Sequence, residues 1–534
     1  MTEPIVSVEH GKLQGKISTN LRNENIYCFQ GIPYAKPPIG ELRFKDAQPL
    51  EPWVGVRDAT KDGNQCYARD LLSFSRTAQG SEDCLFLNVY TQQLPSNTSK
   101  TLKPVMFWIH GGKYKTGSNT SKRYGPEFLL TEDIVLVTIN YRLGIFGFLN
   151  FEDASLGVPA NTGLKDMVMA LKWVQKNISK FSGDPNNVTI FGQSAGATSV
   201  HYLVLSPLTA GLFHKAIIQS ATAINSFSQQ RSDMIVHLAP FLDLKTPNEK
   251  EILQRLKALP TEKLFEIYEK VEDTCDALND AGGRLSFGPV VEKQSPGAFI
   301  TEEPLKIIKA GRYNKVPIVF GYTTREGMMF APMMKPEMPK DFESLIPCML
   351  ELERGSDSSK NIANKIKQFY YGKPGSEDQL DNFYLIHTDN VFVRDIIFAA
   401  QLHSATSDQP TFLFRMSVES KLNLYKNFFK IQGPGVSHID DTGYLFKSMW
   451  TPEIQPGSLE ELSINRFVKY WTNFAKFGNP NLKDKVDGPE WKPVKRNDIN
   501  FIDIGDQITT GVDPESERMQ FWRDIFSMKP EYTF

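Results

Sequence analysis

The chain has 534 residues, with 60 Lys and Arg against 62 Asp and Glu and a formal net charge of −2. That balance gives no electrostatic reason to expect nucleic acid or an anionic membrane as partner. The apolar runs, such as Ile134–Ile139, suit buried strands and fall far short of the roughly 18 residues that span a bilayer.

In chain order, the opening MTEPIVSVEHGKLQGK has neither a basic n-region nor an apolar h-region. The chain therefore reads as cytoplasmic, or as the mature form of a secreted protein with a restored Met. Five cysteines (Cys28, Cys66, Cys84, Cys275, Cys348) are too few for a disulfide scaffold of this length. Four N-x-S/T sequons begin at Asn97, Asn119, Asn177 and Asn187, and without an export signal they read as chance occurrences.

Short β-branched runs followed by longer helical patterns recur, the mark of parallel βαβ units. Strands are predicted at Val105–Ile109, Ile134–Asn140, Val188–Phe191, Lys215–Gln219, Val316–Tyr322 and Thr411–Arg415. The clearest helix is predicted over Asn161–Lys180, and Asp184–Asn187 (DPNN) reads as a turn into the next strand. The stretches 232–309 and 341–408 read as mostly helical insertions, because strand-like runs resume after each. No Gly/Ser-rich or Pro-rich linker interrupts the chain, so residues 1–534 read as one domain.

Four stretches carry chemistry. In WIHGGKYKTG (Trp108–Gly117) a glycine pair follows an apolar run, so a strand ends and its bare N–H groups turn outward. Such a turn suits an anion, a phosphate or a developing oxyanion. In VTIFGQSAGA (Val188–Ala197) a strand runs into G-x-S-x-G and a helix-compatible segment follows. This is the context of a nucleophile elbow, with Ser194 at the tip. A serine hydroxyl needs a base, oriented in turn by an acid. His387, His403 and His438 lie far enough downstream; His403 sits in an amphipathic run and reads as structural, His387 reads either way, and His438 lies in the loop GPGVSHIDD. Glu326 follows the strand in KVPIVFGYTTREG, at the sheet edge where such sites form. The alternative for Glu326 is a solvated loop charge.

These stretches, with FQGIPYAKPPIGELRF, SEDCLFLNVY, NYRLGIFGFL, GLKDMVMALKWV, FGPVVE, GVSHIDDTGYLF and WTNFAKFGNPN, make the chain similar to the type-B carboxylesterases from end to end. Within that family it resembles the insect carboxylesterases, including those close to juvenile hormone esterases. The resemblance implies an α/β-hydrolase fold: a mostly parallel central sheet flanked by helices, with helical insertions over the active-site gorge. It implies Ser194 as nucleophile, Glu326 as orienting acid and His438 as base. It further implies an oxyanion hole from the amides of Gly112, Lys113 and Ala195, a supporting serine at Ser220, and a disulfide between Cys66 and Cys84 that a reducing cytosol would disfavour. The family's second disulfide has no counterpart. Tyr67–Asp83 contains no tryptophan to hold a quaternary ammonium, so choline esters are not expected substrates. Lys113 stands where the family has a small residue. Its amide can still donate, and its side chain either extends into solvent or overhangs the gorge and biases selectivity toward acidic esters.

The expected activity is hydrolysis of small-molecule carboxylic esters through an acyl-enzyme, with no metal or cofactor, in a monomer or weak homodimer. A broad-substrate insect enzyme for xenobiotic, lipid or semiochemical esters, with a role in detoxification, comes first. A juvenile hormone esterase and a slow-turnover sequestering protein are the alternatives.

Overall fold

The computed structural model describes residues 3–70, 77–96, 101–231, 234–244, 248–277, 283–372, 379–481 and 488–532. Its centre is an 11-stranded sheet. The strands are β1 (Lys16–Thr19), β2 (Asn25–Pro33), β3 (Phe86–Thr91), β4 (Lys103–Ile109), β5 (Val135–Ile139), β6 (Gly183–Gln193), β7 (Lys215–Gln219), β8 (Ile318–Thr323), β9 (Thr411–Met416), β10 (Asn500–Ile504) and β11 (Ile508–Val512). Their spatial order is β11-β10-β9-β8-β7-β6-β4-β5-β3-β2-β1. From β10 across to β5 every pair is parallel, and antiparallel pairs close both ends.

Helices cover both faces. The ones that matter below are α1 (Thr162–Asn177), α2 (Ala195–Leu205), α3 (Thr261–Ala277), α4 (Gln379–His387), α5 (Arg394–Thr406) and α6 (Leu459–Phe477). Side chains alternate across the sheet: Val105, Phe107 and Ile109 of β4 join the buried cluster that holds Leu171 of α1 and Val200 of α2. Met106 and Trp108 join the opposite cluster with Phe467 and Trp471 of α6. A strand buried on both faces needs no polar alternation, so VMFWI is apolar without a break.

All six parallel strands predicted from sequence are present, Lys215–Gln219 with the same ends and the others longer or shorter, and the predicted Asn161–Lys180 helix is α1 plus a 3-10 turn at Ile178–Phe181. Asp184–Asn187 differs. The turn chemistry is there, with the Asn186 amide donating to Asp184 Oδ1 at 2.9 Å, but the segment lies within β6, at a register shift against β4. A bulge tolerates the proline that a regular central strand excludes. Helices fill much of both insertions. Cys66 and Cys84 are disulfide-bonded. Asn119 and Asn177 are buried, their amides donating to Phe86 O (3.3 Å) and Thr138 O (3.1 Å), and to Trp173 O (3.0 Å). The Asn187 amide donates to Lys476 O at 3.4 Å, so these three sequons are engaged by the fold; Asn97 lies outside the described residues. Among the described residues no helix is long and apolar enough to cross a membrane.

Behind α2 two fully buried imidazoles meet, His201 Nε2 and His403 Nε2, at 2.9 Å. The Ala223 amide donates to His201 Nδ1 at 3.1 Å, so the His201 proton sits on Nε2 and points at His403. Burial lowers both basicities, His403 from 6.5 to about 3. A depressed imidazole means that acid protonates the unfolded chain first. Stability present above pH 6.5 is therefore lost as pH falls toward that of the folded group. Replacing His403 by Gln, which keeps an acceptor for His201, should make the fall in melting temperature between about pH 6.5 and pH 4 shallower than in the parent. Thermal melts across that range check it; a parallel slope would count against the linkage.

Candidate active site

The carboxyl edge of the sheet gathers four loops. At the first, β6 turns into α2 through Ser194, whose backbone takes φ 58° and ψ −127°, a conformation disfavoured for any residue with a Cβ. The flanking glycines are required by space. A Cβ on Gly196 would lie 2.1 Å from Ile109 O, and one on Gly192 would lie 2.6 Å from Gly196 C. The bend is pinned by the Ser194 amide, which donates to Gln219 O at 2.9 Å.

The second loop follows β4. Gly112 takes φ 116°, and Lys113 and Tyr114 follow at 56° and 57°. A Cβ on Gly111 would sit 3.0 Å from Ser194 Cβ, which shows how closely this loop approaches the serine. Among the described residues, no hydrogen bond is donated by the amides of Gly112, Lys113 or Ala195. The Ala195 amide belongs to the first turn of α2, where N–H groups have no intrahelical partner. The Lys113 side chain is exposed, and Tyr114 is buried with its carbonyl accepting from the Gly144 amide at 2.7 Å.

The third and fourth loops follow the adjacent strands β8 and β9. Glu326 and His438 are both fully buried, and His438 Nδ1 donates to Glu326 Oε2 at 2.6 Å. The other carboxyl oxygen, Oε1, accepts from the Thr323 amide at 2.8 Å. The two loops are joined through their backbones, Arg325 N–H to Val436 O at 2.9 Å. With its Nδ1 proton directed at Glu326, the imidazole presents Nε2 to the elbow, where it accepts from the side-chain Nε2 of Gln193 at 3.2 Å. His387 is also buried, but among the rings of Phe330 and Phe383, and His403 pairs with His201. The structure thus brings Ser194, Gly112, Lys113, Ala195, Glu326 and His438 to one edge.

Ser220 follows β7 with φ 64°, and its amide donates to Gly321 O at 2.8 Å. Its hydroxyl has no hydrogen-bond partner among the described residues. The preceding residue is tied into the site by its side chain. Besides holding the Ser194 amide, Gln219 donates from Nε2 to Asp441 Oδ2 at 2.6 Å and accepts from Trp471 Nε1 at 3.1 Å. Asp440 accepts from the amides of Tyr425 (2.8 Å), Lys426 (3.2 Å) and Ser437 (3.0 Å), bracing the loop on which Ile439 takes φ 81°. Burial raises both acids, Asp440 to about 7 and Asp441 to about 6. Gln219, Asp440 and Asp441 are not among the residues expected at the site from sequence. The acidic pair that follows His438 after one isoleucine was the available signal for two of them, and nothing local marked Gln219.

A mostly parallel sheet with a strand–serine–helix bend at its carboxyl edge defines an α/β-hydrolase. The chain belongs to the carboxylesterase family, whose model matches residues 2–522, and it is a carboxylic ester hydrolase. It is 33% identical to the juvenile hormone esterase of Tribolium castaneum over 98% of this chain and 93% of that one. It is 35% identical to Esterase FE4 of Myzus persicae over 93% and 88%. Among solved structures it is similar to juvenile hormone esterase from Manduca sexta with OTFP covalently attached. The TM-score is 0.84 at 30% identity, covering 98% of this chain and all of that one.

The elbow makes a steric prediction. Gly196→Ala should force β4 and α2 apart, costing about 1–3 kcal/mol of stability and most of the labelling at the elbow. Urea unfolding and the rate of labelling by a fluorophosphonate measure the two; an unchanged labelling rate would show that the bend has room to spare.

Proposed function

We propose that Ser194, His438 and Glu326 are the nucleophile, base and orienting acid of an acyl-enzyme mechanism, and that the amides of Gly112, Lys113 and Ala195 bind the oxyanion. The observation that carries this reading is the buried His438–Glu326 hydrogen bond of 2.6 Å, with the opposite nitrogen of the ring turned to the elbow. Ser194 Oγ attacks the ester carbonyl while His438 takes its proton at Nε2. Glu326 fixes the tautomer and stabilises the imidazolium that forms. The carbonyl oxygen gathers charge as the tetrahedral intermediate develops, and each backbone donor aimed at it contributes about 3–4 kcal/mol. His438 returns the proton to the leaving alkoxide, the acyl group remains on Ser194, and water then repeats the cycle.

The substrate reading is a broad-substrate insect carboxylesterase acting on xenobiotic, lipid or semiochemical esters. Juvenile hormone esterase is the second reading, favoured by relatives that carry that name. Identities of 33% and 35% to the two kinds of relative do not separate them. Saturation kinetics on a long terpenoid methyl ester against a series of short aryl esters separate the two. A protein that binds esters without turnover would show no burst with an aryl ester.

Ser194→Ala should lower kcat about a millionfold and abolish fluorophosphonate labelling, and Glu326→Gln should lower kcat about ten-thousandfold. Retained turnover in the serine variant would end the assignment. Lys113 supplies an exposed positive charge at the loop nearest Ser194, and we infer that it favours acidic esters. Lys113→Gly should reduce the ratio of kcat/KM for an anionic ester to that for a neutral one by about fivefold or less. An unchanged ratio would mean that the ammonium faces bulk water only.

A further inference from the structure

Between α4 and α5 the chain stays helical but widens: Thr388–Val393 is a π-helical turn, closed by the Arg394 amide donating five residues back to Asp389 O. Such turns are less stable than α-helix and occur often at functional sites, where something outside the helix uses the altered geometry. Here nearly every residue of the turn has a tertiary partner. Thr388 Oγ1 accepts from the amide of Gly327, the residue after Glu326, at 2.9 Å. Asp389 is buried between the Tyr370 hydroxyl (2.7 Å) and Arg518 (2.9 Å), and the Asn390 amide donates to Leu345 O at 2.8 Å. The Val391 and Phe392 carbonyls accept from one donor, Asn225 Nδ2, at 2.8 and 3.3 Å. The Phe392 ring lies over the imidazole of His438, with centroids 4.7 Å apart and planes inclined at 39°.

We propose that this wide turn is a positioning device for the His438–Glu326 pair, with Phe392 the positioning residue on the imidazole and Asn225 the clamp that holds the turn in place. The inference rests on His438 being the base. The hydrogen bonds at Nδ1 to Glu326 and at Nε2 to the Gln193 side chain both lie in the plane of the ring and leave it free to pivot about the line joining them. The loop that carries the ring is glycine-rich and passes through Ile439 at φ 81°, so its own backbone is a poor splint. An aromatic ring against the face blocks the pivot. Thr388, four residues before Phe392 on the same turn, holds the peptide next to Glu326, so acid and base are referred to one rigid element.

The test separates positioning from pocket lining. Phe392→Leu should lower kcat by about 10- to 100-fold with KM within about twofold, by the same factor for acetyl, butyryl and octanoyl aryl esters, at little change in melting temperature. Phe392→Tyr, which keeps the ring, should restore most of the loss. Asn225→Ala should reproduce the kcat defect, and the double variant should be no worse than the poorer single one, because both act through the same turn. Should the leucine variant not fold, Phe392→Met carries the same comparison. A loss that scales with acyl length would make Phe392 a wall of the pocket. An effect on KM alone, an unchanged kcat, or multiplying defects in the double variant would overturn the proposal. His438→Ala tests the underlying reading separately: retained turnover there would remove the base while leaving the Phe392 measurements interpretable.

Discussion

The hydrogen bond from His438 to Glu326 joins two buried groups 112 residues apart in sequence, and little of the site would hold together without it. Its geometry is set by strand register. β8 and β9 are parallel neighbours aligned from Ile318↔Thr411 to Thr323↔Met416, so the loops that leave them start level. The pairing then continues past the strands through Thr324 N–H to Met416 O at 3.1 Å and Arg325 N–H to Val436 O at 2.9 Å. A slip of one residue would move one loop by about 3.3 Å, more than the length of the hydrogen bond. The sheet therefore acts as the ruler for the chemistry at its edge, and the burial of both faces of its central strands is what keeps that ruler from slipping.

The same edge collects unfavourable backbone. Ser194, Ser220, Lys113, Tyr114 and Ile439 all take positive φ, and none is glycine. Each costs about 1–2 kcal/mol against an ordinary conformation, and four of them, all but Lys113, are held by contacts from elsewhere. Gln219 O holds the Ser194 amide, Gly321 O holds the Ser220 amide, and the Gly144 amide holds the Tyr114 carbonyl. Ile439, β-branched and the most awkward of the five, follows His438 directly and is braced by Asp440 and its three amide donors. Bends this tight expose Ser194 and the amides of the β4 loop in a way that relaxed backbone would not. The stability given up at the edge is offset by the apolar packing beneath it.

How much of this could be read from sequence followed from the range of the forces involved. The parallel strands were legible because burial on both faces leaves continuous apolar runs, and the elbow because its two glycines are dictated by contacts under 3 Å. The two ends of the sheet were missed, β1 to β3 at one and β10 with β11 at the other: their strands are short or carry polar residues, as in KIST and ITTGV. Glu326 and His438 could be placed only on loops of the right edge, and resemblance to a family had to choose between His438 and His387. Lys113 was recognised as out of place, but whether its backbone would strain or rearrange depended on the loop around it. Gln219 was invisible because its three partners come from residues 194, 441 and 471, and the π-helical turn because its cause is likewise tertiary.

Those partners explain why two buried carboxyls can sit near one imidazole without competing for it. Each is committed to a different donor. Glu326 spends one oxygen on the Thr323 amide and the other on His438. Asp441, lifted to about 6 by its burial, gives Oδ2 to the Gln219 side chain, and the backbone carbonyl of that same glutamine holds the Ser194 amide. Glu326 therefore acts on the histidine and Asp441 on the serine's support. Trp471 completes the arrangement from α6, on the far face of the sheet, by fixing the amide orientation of Gln219 through its Oε1. An indole donor can meet only the oxygen of that amide, so the nitrogen is left to face Asp441. The position of Ser194 is thus tied through one glutamine to both layers of the core.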